Sequence, residues 1–167
     1  SGIVPGIEPG AVEVALAANR QPGRRGYYSR WVGLEPVPGG RCAFLDGLDD
    51  IFPAPVAHAE GRFTHEDPAF FDRLAADGYV ALRYHALAGG CGGNPNGSLR
   101  DVAGLTSAGG NVLAMMPHPE RALQLRMVPE DLPHAWGALR RDAAADPERL
   151  EAAGPGFWLL RRLVELC

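Results

Sequence analysis

Cysteine is scarce, charge is thin and no long apolar run occurs, and each shortage removes a class of answer. Three cysteines, Cys42, Cys91 and Cys167, are an odd number at wide spacing, with no C-x-x-C pair and no histidine at zinc-ligand spacing. A disulfide framework and a structural zinc site are therefore not indicated, and the thiols read as reduced thiols of a cytosolic protein. Charged residues make up 22% of the 167-residue chain, the formal net charge is −4, and the arginines are scattered. That pattern carries no electrostatic footprint for nucleic acid or an anionic membrane. No apolar stretch approaches the ~20 residues that span a bilayer, and the first residues form neither a basic n-region nor an h-region, so cytoplasm is the expected address. What the chain does have is 46% hydrophobic residues. That is the composition of an ordinary globular domain long enough to bury a core.

Local patterns give a coarse architecture. Val12, Val14 and Leu16 alternate with Glu13, Ala15 and Ala17, and a second strand-like run covers residues 27–37 beyond the Gln21-Pro22-Gly23 breaker, so a long hairpin is expected. Residues 53–58 read as a strand leading into His58-Ala59-Glu60-Gly61. Over residues 67–77 apolar positions keep helical spacing, with Asp67 as N-cap, Pro68 at N1 and Gly78 closing. A strand follows over 79–84, a turn at Asn94-Pro95-Asn96-Gly97, and a short apolar strand over 112–116, expected to be buried on both faces. Beyond Leu125, helical segments around 131–145 and 156–166 are separated by Pro147 and by Gly154-Pro155-Gly156, and should pack on the outside. Trp31, Trp136 and Trp158 fall in strand or helix patterns and read as core. No repeat or low-complexity tract divides the chain, and a single α/β unit fits.

The chemistry lies in Met116-Pro117-His118-Pro119-Glu120-Arg121, just after the 112–116 strand. An imidazole followed two residues later by a carboxylate has a physical use. If Glu120 reaches Nδ1 of His118, it fixes the tautomer and stabilises imidazolium, leaving Nε2 as a general base. Pro117 and Pro119 restrict the backbone on both sides. From the tripeptide alone a surface turn is the favoured reading. His58 and Glu60 with His118 make a conceivable zinc or iron set, unspecific at that separation. His65, His85 and His134 have no partner at useful spacing and read as structural.

The order of segments says more. Residues 55–63 (Pro-Val-Ala-His-Ala-Glu-Gly-Arg-Phe), 80–84, 94–98, 101–105 and 111–121 together resemble the glutaminase subunits of phosphoribosylformylglycinamidine synthase, a family of class I glutamine amidotransferases. The match runs from about residue 2 to 122, leaving 123–167 as a helical tail of one partial domain. The resemblance implies an α/β, flavodoxin-like amidotransferase fold, of which this chain is the C-terminal two-thirds. It places the triad histidine and glutamate on His118 and Glu120, and the glutamine pocket on His58, Ala59, Glu60 and Gly61, with Ala59 standing where the family more usually has glycine. It implies ammonia delivery to a synthetase subunit that uses ATP and magnesium, with a small bridging subunit, and no cofactor, metal or nucleotide on this chain.

One departure matters. The family's nucleophile lies in a Gly-x-Cys-x-Gly strand-to-helix elbow; here those letters occur only at Gly89-Gly90-Cys91-Gly92-Gly93, which reads as a glycine-rich loop and not as a strand-to-helix turn. The first six residues, Ser1-Gly2-Ile3-Val4-Pro5-Gly6, resemble the stretch after the elbow helix. By resemblance the nucleophilic cysteine is therefore expected upstream of Ser1, beyond an N-terminal truncation, and with it come expectations of no glutaminase activity and marginal stability. Cys42, Cys91 and Cys167 are not on strand-to-helix turns and are not expected to substitute. The alternatives from other classes are a non-catalytic amidotransferase-like binding or regulatory module, and an unrelated hydrolase or metal enzyme.

Overall fold

A computed structural model describes the chain except for residues 1–3, 6, 9, 10, 22, 91 and 167 and the side chains of 24 and 25. Ser1, upstream of which the nucleophile is expected, lies outside the described residues, and so do Cys91 and Cys167. The expectations attached to these three positions are not ones the structure addresses.

In chain order the elements are β1 (Ala15–Ala18), β2 (Arg20–Gln21), β3 (Arg24–Arg25), β4 (Tyr28–Pro36), β5 (Phe52–His58), β6 (Glu60–Thr64), α1 (Phe70–Ala76), β7 (Val80–His85), β8 (Val102–Thr106), β9 (Leu113–Met115), α2 (Ala135–Asp142), α3 (Pro147–Leu150) and α4 (Phe157–Glu165). The main sheet has the order β5-β4-β7-β8-β9, and each of its pairs is antiparallel. A separate ribbon pairs β1 with β6, and β2 pairs with β3.

The long hairpin expected across the Gln21-Pro22-Gly23 breaker is not what forms. Only β2 and β3 close on each other there, and β4 pairs on its two sides with β5 and β7. The reason is burial. Val32 and Leu34 of β4 are fully buried, which belongs to a central strand, whereas Leu16 of β1 is half exposed and suits a peripheral ribbon. The strand over 112–116 also differs from expectation: β9 is an edge strand of half-buried residues, and the fully buried strand is its neighbour β8.

Strand β5 is the opposite edge, which is why it tolerates Pro53 and Pro55. The two prolines stand opposite Gly33 and Trp31, at register positions where the β5 backbone groups point away from β4. Phe52, Ala54, Val56 and His58 share the other parity, and all four side chains are buried. His58 thus continues the core face of its strand.

Helix α1 starts later than the expected 67. Asp67 still works as a cap one turn early, its Oδ1 accepting from Ala69 N at 2.9 Å while its other oxygen holds Arg73 at 2.9 Å. Phe71 and Leu74 turn inward against Val80, Val102 and Leu105. On the other side of the molecule Leu159 of α4 enters the cluster of Val32, Leu34, Ala54 and Val56. The tail packs as expected, α2 and α3 enclosing Leu125, Val128 and Leu132 against Trp31 and Leu87. Trp158 is the exception among the tryptophans, 48% exposed on the outer side of α4.

Phe71 is fully buried and Val164 is 76% exposed. Phe71→Ala should therefore lower unfolding free energy by about 3–5 kcal/mol in urea titration, whereas Val164→Ala should stay within ~0.5 kcal/mol. Similar losses at the two positions would contradict this core.

Candidate functional site

Two segments distant in sequence meet at the outer edge of β5. Because Pro55 faces away from β4, its carbonyl is free, and it accepts from the backbone N of His118 at 2.8 Å. That bond lies three residues before His58, so the loop carrying His118 is laid beside the turn of His58, Ala59, Glu60 and Gly61. A tight turn follows over Pro119–Ala122, closed by Arg121 N to His118 O at 3.1 Å. The tail holds this turn from behind. Gly154 N donates to Leu123 O and Gly156 N to Ala122 O, and a Cβ at Gly156 would stand 2.1 Å from Pro119 O. Glycine is thus required there by close approach, a role that a reading of Gly154-Pro155-Gly156 as a break did not reveal.

Within the loop, Nδ1 of His118 lies 2.7 Å from Oε1 of Glu120. A carboxylate only accepts, so Nδ1 carries the proton and Nε2 of neutral His118 is a bare acceptor. The pair is 30% and 51% exposed. At that exposure an ion pair contributes little to stability, and its value is orientation.

His58 is held quite differently. It is buried, its Nδ1 is 3.1 Å from Asn19 Oδ1, and Asn19 Nδ2 donates to the His58 carbonyl at 2.6 Å. Burial pushes its pKa below the ordinary histidine value, and the nearby His118 pushes in the same direction. Gly61 lies under the ring: a Cβ there would be 2.4 Å from Cε1 of His58. Ala59 is an exposed bend residue and is not among the described non-glycine residues at positive φ, which are Arg100 and Asp101. A methyl group is therefore tolerated where glycine is more usual. Glu60 is exposed at the start of β6.

Two residues of this neighbourhood escape a reading of the sequence. Asn19 clamps the turn after β5, its own N donating to Ala59 O at 2.8 Å. Asn96, expected only as a turn residue, is fully buried; its Nδ2 donates to Gly61 O at 2.7 Å and its Oδ1 accepts from Ser98 N and Oγ. Both sit beside breakers, where asparagine ordinarily marks a solvated turn. No local signal separates a buried asparagine from an exposed one.

The remaining candidates have other uses. Cys42 is buried and its thiol is pushed up by desolvation, the reverse of what a nucleophile needs. His65 accepts from Asp67 N and stacks on Phe70 at 4.2 Å. His134 caps α2 by accepting from Trp136 N at 3.3 Å, with its pKa lowered by burial. Among the described residues no group of three or more His, Cys, Asp or Glu could hold a metal, and no helix is long and apolar enough to cross a membrane.

Two depressed histidines fix a pH dependence. Folded His58 and His134 bind protons less readily than their unfolded counterparts, so their contribution is complete above the ordinary histidine pKa and is lost as pH falls through the folded values. The exposed carboxylates lowered by arginine, Asp67 and Asp72, act the same way only below the ordinary carboxylate range. The urea midpoint should thus fall between about pH 7.5 and about pH 5. A midpoint that is level or rising across that window would contradict the burial of both rings.

Comparison with known proteins bears on the family. A model of the CobB/CobQ-like glutamine amidotransferase domain matches residues 1–143. The phosphoribosylformylglycinamidine synthase subunit PurQ of Thermus thermophilus is 48% identical over 94 residues, 56% of this chain and 41% of that protein. PurQ of Methanothrix thermoacetophila is 33% identical over 147 residues, 82% of this chain and 56% of its own length. The chain therefore spans about half the length of these relatives. In fold it is similar to a chain in the structure of PurLQS from Thermotoga maritima, with a TM-score of 0.58 and 24% identity, covering 96% of this chain and 56% of that one. The α/β amidotransferase architecture expected from sequence is thus the architecture present, and the chain belongs to the CobB/CobQ-like glutamine amidotransferase family.

Proposed function

We propose that this chain carries the histidine and glutamate half of a glutaminase site, and that the whole protein releases ammonia from glutamine for amidation of formylglycinamide ribonucleotide in purine biosynthesis. The observation that carries the reading is the 2.7 Å contact of His118 Nδ1 with Glu120, set beside the buried His58 by the backbone bond to Pro55. Family membership and the names of the PurQ relatives support the substrate and the pathway.

In this reading a cysteine thiolate attacks the carboxamide carbon of glutamine. His118, protonated at Nε2, gives its proton to the departing nitrogen as ammonia leaves and a thioester forms. Neutral Nε2 then takes a proton from water as the water attacks the thioester, glutamate departs, and the thiolate is restored. Glu120 keeps Nδ1 protonated throughout. Cys42 does not supply the thiolate, and the reading takes it from a strand-to-helix elbow upstream of Ser1, since Gly89-Gly90-Cys91-Gly92-Gly93, which has the same letters, reads as a glycine-rich loop. Ala59, Glu60 and Gly61 form the glutamine pocket with His58. The partners are a synthetase subunit, on which ATP and magnesium act, and a small bridging subunit. This chain holds no cofactor, and the reaction belongs in the cytoplasm.

Ammonia release by the whole reading frame that encodes residues 1–167, assayed with glutamine and a synthetase, tests this. His118→Ala should lower kcat by about 10⁶-fold and Glu120→Gln by roughly 10⁴-fold, whereas residues 1–167 alone should release no more ammonia than their His118→Ala variant. Glutamine bound without turnover in the whole product would favour a non-catalytic module, and full turnover with His118→Ala would overturn the assignment.

A further inference from the structure

Asn19 has no part in the mechanism above, yet it is 4% exposed and every polar atom of its side chain is engaged. Its Nδ2 donates to Gly26 O at 3.1 Å and to His58 O at 2.6 Å. Carbonyl oxygens only accept, so the amide cannot be turned over without setting oxygen against oxygen twice. Oδ1 must therefore be the atom facing Nδ1 of His58, at 3.1 Å. An amide oxygen also only accepts, and Nδ1 must be the protonated nitrogen.

A neutral imidazole has one N–H. With that proton on Nδ1, Nε2 of His58 is a bare acceptor, and it is buried without a hydrogen-bond partner among the described residues. The ring is also pressed on the backbone of Gly61, which restricts its reorientation. Burial and the neighbouring His118 both keep the ring uncharged. Nε2 of His58 is thus a bare acceptor throughout, whereas Nε2 of His118 is bare only while His118 is neutral.

We propose that Asn19 is a positioning residue that locks His58 in its Nδ1–H tautomer, and that the bare Nε2 so created accepts a hydrogen bond from the primary carboxamide of the bound ligand. The identity of that ligand as glutamine rests on the glutaminase reading; the lock does not. An acceptor at this point discriminates by hydrogen count. The NH2 group of glutamine can donate to it, whereas the side-chain carboxylate of glutamate has no hydrogen to offer and meets a lone pair. His58 would thus favour substrate over product at the same place and promote release of glutamate.

Long-range proton–nitrogen correlation on the ¹⁵N-labelled 167-residue chain, above the ordinary histidine titration range, reads the tautomer of His58 directly. The free protein should show Nδ1 protonated and Nε2 bare; an Nε2–H tautomer would overturn the lock without any variant being needed. In Asn19→Ala that still gives a folded spectrum, the proton should move wholly or partly to Nε2, and an unchanged tautomer would remove Asn19 from its role. In the product of the whole reading frame, adding glutamine should then shift the His58 Nε2 resonance, and adding glutamate should not. A response at His118 without one at His58 Nε2, or an equal response to glutamate, would overturn the acceptor role. If neither histidine responds to glutamine in the product of the whole reading frame while the tautomer is as expected, the glutaminase reading fails and the lock stands.

Discussion

The backbone hydrogen bond from His118 to Pro55 is the joint on which the site depends. Strand β5 is an edge, and edges leave every second backbone carbonyl unpaired. Prolines at positions 53 and 55 remove the competing N–H donors on that side without weakening the pairing to β4. One freed carbonyl takes the N–H of His118 at 2.8 Å. Everything chemical follows from that placement, since it brings the 118–120 loop against the turn leaving the same strand.

The two histidines that meet there are stabilised by different physics. His118 and Glu120 are partly exposed, so their mutual attraction is weak in free energy and the backbone must do the positioning. The bond to Pro55, the turn over Pro119–Ala122 and the glycines before α4 supply it. His58 is instead fixed by burial, by Asn19 and by the absence of a side chain at Gly61. A partly exposed imidazole–carboxylate pair thus lies beside a buried, uncharged imidazole.

The chemistry of the site was more legible in the sequence than its construction. His118, Glu120 and the 58–61 segment stand out through the order of segments and the resemblance it carries, since the tripeptide alone reads as a surface turn. The strand over 53–58, the helix near 70–76 and the helical tail were legible from period and punctuation. Pairing was not. Alternation in residues 12–17 tells which faces are apolar but not which strand lies alongside, and β1 found β6 rather than β4. Burial of Asn19 and Asn96 was also hidden, because each is satisfied by backbone groups tens of residues away. Trp158 misled for the related reason that helical spacing fixes a stripe, not which side of the stripe the core will occupy.

Native-state hydrogen exchange at the His118 amide tests the central joint most directly. If that N–H donates to Pro55, it should exchange slowly, through the same opening that exposes the amides of β5 and β4. Exchange at the rate of a free surface loop would show that His118 is not docked on the edge strand, and the site described here would not be assembled.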